Sequence, residues 1–317
     1  MHHYVYDRAV CTGLGDRVGA IMTLATLARL NYVDVVFPWC EDPELVLPKH
    51  HRQILRKYIP LWHGYRYNLT EFQNRFLPKD FPITIVAPEL TPEQKESSHK
   101  VKWTGLEVPA EAWLDHVYTT AWTSVQLPDR PVLDGEKYKQ SYRWLARSLI
   151  LHAIPNNFEV IEKHSMYIAV HLRGPDDNTY HPFPGFHDEP RHYCTSHVLK
   201  RVTKRIPGVS LVVLTNNASW ARGIVPSGVD ITVSSDYDDF ALLLGASAIV
   251  QHANHGWSAF SSNPSMMTGA PLITTYRRHL EHHKLGWFEK YGGIPDEYYG
   301  CEQTKTFIQV AKRSLFR

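Results

Sequence analysis

Three stretches of this chain hold residue types that could do chemistry. The first is His171-Leu172-Arg173-Gly174-Pro175-Asp176-Asp177, at the end of the apolar run Met166 to Leu172. That run reads as a buried strand. Open parallel sheets bind ligands outside the carboxyl ends of their strands, which is where this cluster falls. An Arg beside a Gly can fork onto a phosphate there, because its guanidinium is planar and always charged. The alternative is an ion pair between Arg173 and Asp176 or Asp177.

The second stretch runs from Asp236 to Tyr276. It reads as an apolar helix beginning near Phe240, with Asp238 or Asp239 as its cap, followed by a short strand at Ala248-Ile249-Val250. A polar turn from His252 to Ser262 then opens a second helix of small residues. A hydroxyl-rich turn at a helix N-terminus offers backbone N–H groups and the positive end of the dipole to a phosphate. It could equally be an N-cap cluster with no ligand. Asp236-Tyr237-Asp238 imitates a D-x-D metal element, but a carboxylate leading straight into an apolar helix is explained by capping, so no metal is assigned. His279-Leu280-Glu281-His282-His283 lacks the spacing of the zinc hydrolases.

The third stretch, Cys11-Thr12-Gly13-Leu14-Gly15-Asp16-Arg17-Val18-Gly19, is a Gly-rich loop ahead of a helical pattern at Ile21, Leu24, Ala25, Leu27 and Leu30. With the extended segment before it and the β-branched run Val33 to Phe37 after it, it forms a β–loop–α–β unit. The glycine spacing departs from the dinucleotide fingerprint, and Asp34 lies inside the second strand rather than at its end. A nicotinamide cofactor is therefore not expected.

These elements, in this order, resemble the superfamily of α1,2-, α1,6- and protein O-fucosyltransferases. Val170 to Asp176 resembles its H-x-R-x-x-D element, and Ser258-Ala259-Phe260-Ser261 resembles its later S-S/T-F-S element. The first loop is similar to that family's Gly-rich start. The resemblance implies a GT-B-like α/β fold of two Rossmann-type domains, a GDP-fucose or related GDP-sugar donor, and an inverting transfer to a glycan hydroxyl without a bound metal or other cofactor. On that implication Arg173 holds the donor diphosphate and His171 lines the donor pocket. Ser258, Phe260, Ser261 and Ser262 close around the phosphates, and Asp239 approaches the base or ribose. Gly13, Gly15, Asp16 and Arg17 of the first loop, and Asn216 at the end of the strand after His171, complete the donor-binding set. Two residues depart from the pattern: Gly174 stands where several members have a second Arg, and Ala259 replaces a hydroxyl residue.

A metal-free transferase must neutralise a departing diphosphate with cations and N–H groups, and must take a proton from the attacking hydroxyl. Asp176, Asp177, His181, His187, Asp188 and Glu189 form a run of groups able to take that proton, among which Asp177 and His187 are the candidate bases beside the catalytic Arg173. The aromatics Trp39, Trp62, Tyr65, Tyr67, Trp103, Trp113 and Trp122 suit stacking against a sugar or simple packing. Two alternatives remain: a heptosyltransferase-like enzyme using an ADP-sugar, and a nucleotide- or carbohydrate-binding module without catalysis.

The elements that must position these residues follow from length and pattern. At 317 residues the chain is longer than a typical domain, and two domains are expected, 1–155 and 156–317. A helix over Gly135 to Ala153, ended by Pro155, marks the boundary. Beyond it, strands at 166–172, 211–214 and 229–235 alternate with helices at 193–205 and 220–224, which predicts a doubly wound parallel sheet. A last helix, 304–315, is expected to pack back on the first domain. The net charge of +2 argues against a nucleic-acid partner. Cys11, Cys40, Cys194 and Cys301 show no metal or redox spacing. The start lacks the apolar core of a signal peptide and no apolar run reaches membrane length, so a cytoplasmic protein, or a module of a longer chain, is expected. The sequons at Asn68 and Asn217 are read as chance.

Overall fold

A computed structural model describes residues 2–4, 6–7, 13–32, 34–39, 41, 66–86, 123–124, 135–173, 194–232, 234–252, 258–275 and 298–316. The described residues divide into two compact units between Asn156 and Asn157. No described helix is long and apolar enough to cross a membrane.

In the first unit, strands β1 (His2–Tyr4), β3 (Asp34–Pro38) and β4 (Thr84–Val86) make a parallel sheet in the order β1-β3-β4. Strands β2 (Tyr6–Asp7) and β5 (Thr123–Ser124) pair antiparallel. Helix α1 (Leu14–Asn31) buries Leu14, Val18, Ile21, Leu24, Ala25 and Ala28 at helical spacing. It ends at Tyr32, whose φ of 53° is the left-handed conformation that closes a helix. Helix α2 (Leu69–Phe76) is absent from the sequence expectations. Asn68 caps it by accepting from the Glu71 N–H at 2.8 Å, and Leu69, Phe72 and Phe76 form its buried face. The first sequon thus supplies a cap. Helix α3 (Gly135–Asn156) packs on α1 and α2 and runs through Pro155, which lies in its final turn. Arg29 lies 3.8 Å over the half-exposed Trp144 ring of α3.

In the second unit six strands form a wholly parallel sheet. They are β6 (Tyr167–Leu172), β7 (Ser210–Thr215), β8 (Ile231–Thr232), β9 (Ala248–His252), β10 (Leu272–Thr274) and β11 (Tyr298–Tyr299), in the order β11-β10-β9-β6-β7-β8. Counted from β6 this is the doubly wound order 3-2-1-4-5-6, with its switch point between β6 and β9. Helix α4 (Phe158–Ile161) precedes β6, and the helices between the strands are α5 (Thr195–Arg205), α6 (Ala218–Arg222), α7 (Asp236–Gly245) and α8 (Ala259–Thr268). Alternation along the strands sends Ile168, Val170, Leu172 and Val250 into a core with α5 and the last helix, α9 (Thr304–Leu315). Tyr167, Ala169, Leu214 and Ile249 enter a second core with Leu242, Leu243 and Phe260 on the other face.

Two expectations change here. The cap of α7 is Ser235, whose hydroxyl accepts from the Asp238 N–H, so Asp238 and Asp239 sit inside the first turn instead of capping it. The apolar face of α9, expected on the first domain, buries Phe307, Ile308, Ala311 and Leu315 in the second unit's own core. Gly245 ends α7 where no side chain fits. A Cβ there would lie 2.8 Å from Ile161 Cγ2 and 2.8 Å from Tyr167 Oη, which donates to the Leu242 carbonyl. Gly245→Ala is expected to cost about 1–3 kcal/mol of stability in thermal denaturation, the range for overpacking a filled site. An unchanged midpoint would mean that Ile161 moves aside freely.

Candidate functional site

The sheet's switch point gathers polar residues that the sequence scatters over more than a hundred positions. On β6 and β9, His171 faces Gln251 in register, and Leu172 faces His252. The next residue, Arg173, continues the ladder by donating its N–H to the His252 carbonyl at 2.9 Å. Asn216 lies one residue past the Leu172–Thr215 pair, so it and Arg173 share the carboxyl edge of adjacent strands. Helix α8 begins at that same edge, with Ser258 at its N-cap position and no side-chain bond closing its first turn.

A polar network fills the face of the sheet under α8. Gln251 is fully buried in a strand whose first three residues are apolar, and its Nε2 lies 2.7 Å from Ser261 Oγ, 3.0 Å from Ser262 Oγ and 3.2 Å from the Ser258 carbonyl. Ser261 Oγ in turn lies 3.0 Å from His171 Nδ1. The Phe260 ring lies against His171 at 5.4 Å between centroids and meets Phe240 edge-on at 5.7 Å. The carbonyl of Ser258 can only accept, which fixes the Gln251 amide with its NH2 toward α8.

A second network lies on the opposite face. Thr195, the first residue of α5, places Oγ1 2.6 Å from His252 Nδ1 and 2.7 Å from Thr275 Oγ1, which lies 3.1 Å from the Gln251 carbonyl. One arrangement of protons satisfies all three contacts: Thr275 donates to the carbonyl, Thr195 donates to Thr275, and His252 donates Nδ1–H to Thr195. The neutral His252 ring therefore keeps its lone pair on Nε2. Trp220 meets this ring edge-on at 5.1 Å.

Burial pushes both rings toward neutrality. His171 is lowered to about 3, first by desolvation and then by the nearby charges of Arg173 and His252. His252 is lowered to about 4 by desolvation. Both rings resist charging in the folded state only, so the stability they contribute is present above pH 6.5 and is lost as pH falls through about 4 to about 3. Asp239 behaves in the opposite sense. Desolvation raises it to about 7, with Asp236 and Asp238 adding to the rise and a hydrogen bond donated by Ser234 opposing it. A folded-state pKa above the unfolded value means stability is full below about 3.8 and falls as pH rises to about 7. Asp239→Asn keeps an acceptor for Ser234 and removes the charge. The variant is expected to gain stability over the parent as pH rises across that window, by at most about 1.4 kcal/mol per pH unit. Parallel denaturation curves that stay a constant distance apart between pH 4 and pH 8 would refute this.

Of the residues singled out in the sequence, the fold brings His171, Arg173, Asn216, Ser258, Phe260, Ser261 and Ser262 to one edge of the second unit. Ser261 and Ser262 are 0% exposed with their hydroxyls on Gln251, so they hold the site's frame instead of lining its surface. Asp239 sits in the first turn of α7. Asp177 and His187 lie outside the described residues, as do Gly174, Trp62, Tyr65, Trp103, Trp113 and Trp122. In the first unit Gly13 precedes α1 as its N-cap, Gly15 is buried and Asp16 is exposed. Arg17, expected to face a donor, is 1% exposed, with its guanidinium 4.8 Å from the ring centres of both Trp39 and Tyr67. Two aromatic faces of the first unit lie against it, which suit a weakly hydrated cation. Gln251, Thr195 and Thr275 were not anticipated. The available signal was a Gln inside a buried parallel strand, where an amide is tolerated only if hydrogen-bonded.

No protein-family model matches the chain, and no curated protein matches it. Among solved structures it is similar to POFUT1 in complex with GDP, at 12% identity over 91% of this chain and 95% of that one, with a TM-score of 0.36. It is similar also to POFUT1 in complex with GDP-fucose, at 11% identity over 91% and 94%, with a TM-score of 0.36. A likeness of that size carries no functional weight, and the chemistry of the site rests on its own residues.

Proposed function

We propose that this chain is a glycosyltransferase of the GT-B kind that uses GDP-fucose or a related GDP-sugar, inverting the sugar and needing no metal. The observation that carries the reading is the convergence of Arg173 and the N-terminus of α8 at the switch point of a doubly wound sheet. A cation, a neutral imidazole and the N-terminus of a helix whose first turn has no side-chain cap, at one edge, suit the diphosphate that leaves when a nucleotide sugar reacts. Arg173 would fork onto the diphosphate and stabilise it most as the bond to the sugar breaks. His171 would donate to it, and Asn216, Asp239, Ser258 and Phe260 would contact the rest of the donor. The acceptor hydroxyl would lose its proton to Asp177 or His187.

Thermal denaturation with GDP, ADP and UDP, each with and without Mn²⁺, tests this. GDP at a hundredfold excess over its dissociation constant is expected to stabilise the fold by about 2.7 kcal/mol with no need of metal. Stabilisation by UDP only with Mn²⁺ would overturn the metal-free reading, and a response to ADP alone would favour an ADP-sugar. GDP binding with no turnover of GDP-fucose on any glycan would make the protein a binding module.

A further inference from the structure

Gln251 has no place in the chemistry described above, yet it is fully buried with its Nε2 against three acceptors. It is fully buried at the fourth position of β9, between His171 of β6 and the first turn of α8. Its Nε2 carries two hydrogens and faces three acceptors: Ser261 Oγ, Ser262 Oγ and the Ser258 carbonyl. Its Oε1 is buried with no hydrogen-bond partner among the described residues, a cost of about 1–3 kcal/mol. A side chain kept at that cost, where Leu or Met would fill the space, is held for what its NH2 group does.

What it does can be followed proton by proton. Among the described residues Ser261 Oγ has two hydrogen-bond neighbours, Gln251 Nε2 and His171 Nδ1. The amide can only donate, so the arrangement that satisfies both contacts and also the hydroxyl hydrogen has Ser261 accepting from Gln251 and donating to His171 Nδ1. A ring that accepts at Nδ1 and is neutral carries its hydrogen on Nε2. We propose that Gln251 is a positioning residue: through Ser261 it fixes His171 in the tautomer whose Nε2–H can donate to an anionic oxygen of the nucleotide ligand. The inference rests on the proposed function for the identity of that ligand, but the relay itself does not depend on it. The network of His252, Thr195 and Thr275 fixes the neighbouring ring in the opposite tautomer. The two strands at the switch point thus present one ring that donates through Nε2 and one that keeps its lone pair there.

The direct test is the ¹⁵N spectrum of the full chain at pH 7, with the His171 signals identified by their loss in His171→Gln. The parent is expected to show a protonated Nε2 and a bare Nδ1 on His171. In Gln251→Glu a carboxylate would accept from Ser261, so Ser261 would accept from His171 and the tautomer would reverse. GDP affinity should fall about tenfold. Ser261→Ala should leave the tautomer mixed, with a similar fall. A parent spectrum with the hydrogen on Nδ1 would overturn the proposal without any variant having to fold. So would a Gln251→Glu protein with an unchanged tautomer. If the parent shows the expected tautomer but GDP has no effect on any signal, the relay is supported and the nucleotide reading fails.

Discussion

Arg173→Ala is expected to weaken GDP binding about 100-fold or more while leaving the protein folded. The reasoning starts from the edge of the sheet. Arg173 is the first residue beyond β6 and is half-buried, and its backbone N–H bonds the His252 carbonyl, a contact that alanine keeps. What is lost is the guanidinium. Hydrogen bonds to charged groups contribute about 1.5–3 kcal/mol each, and a forked contact makes two of them. A loss of about 3 kcal/mol corresponds to the stated factor. Arg173→Lys should recover only part of it, because an ammonium is a point charge without the fork. Titration calorimetry with GDP reads the affinity and a melting curve reads the fold. Affinity unchanged in the alanine variant would remove Arg173 from the site.

Phe240→Ala should show the converse, a large loss of stability from a residue with no chemistry of its own. Phe240 is fully buried in α7, and its ring meets Phe260 of α8 edge-on. Truncating a buried Phe typically costs about 3–5 kcal/mol, the sum of lost transfer energy and the cavity left behind. For a unit of this size that is a fall in melting temperature of roughly 10 °C. Because Phe260 also lies against His171, the variant should loosen that ring and weaken GDP binding as a secondary effect. A loss below about 1 kcal/mol would show that the α7–α8 contact does not hold the site. Together the two variants separate binding from folding: one residue carries charge at the edge, the other carries the frame beneath it.

Much of that frame could be read without coordinates. Apolar runs of strand length between helical patterns announced the parallel sheet, since burial on both faces leaves no room for polar alternation. The last helix, at 304–315, was set by its own periodicity, and β6 by six consecutive residues that must all be buried. Helix α2 was missed because its signal is short and begins at Asn68, which reads in sequence as a sequon as readily as a cap. Ser235 was missed as the cap of α7 because three aspartates behind it carry the same capping preference, and only backbone geometry chooses among them.

For the site, local sequence determined the residue types and the strand ends on which they stand: His171 and Arg173 after an apolar run, and Ser258 to Ser262 before a helix. Tertiary structure decided which of them meet. The register of β6 against β9 sets His171 beside Gln251, a pairing 80 positions apart that no local pattern encodes. Packing of α8 on that face turned Ser261 and Ser262 inward to Gln251, and the Trp39 and Tyr67 rings enclosed Arg17. Hydrogen-bond direction and burial are properties of the assembled neighbourhood, because a donor's partner and a ring's dielectric surroundings exist only once distant segments have packed. The sequence named an arginine that could hold a phosphate and a histidine two residues before it; the fold placed a buried amide two hydrogen bonds from that histidine's ring, through Ser261.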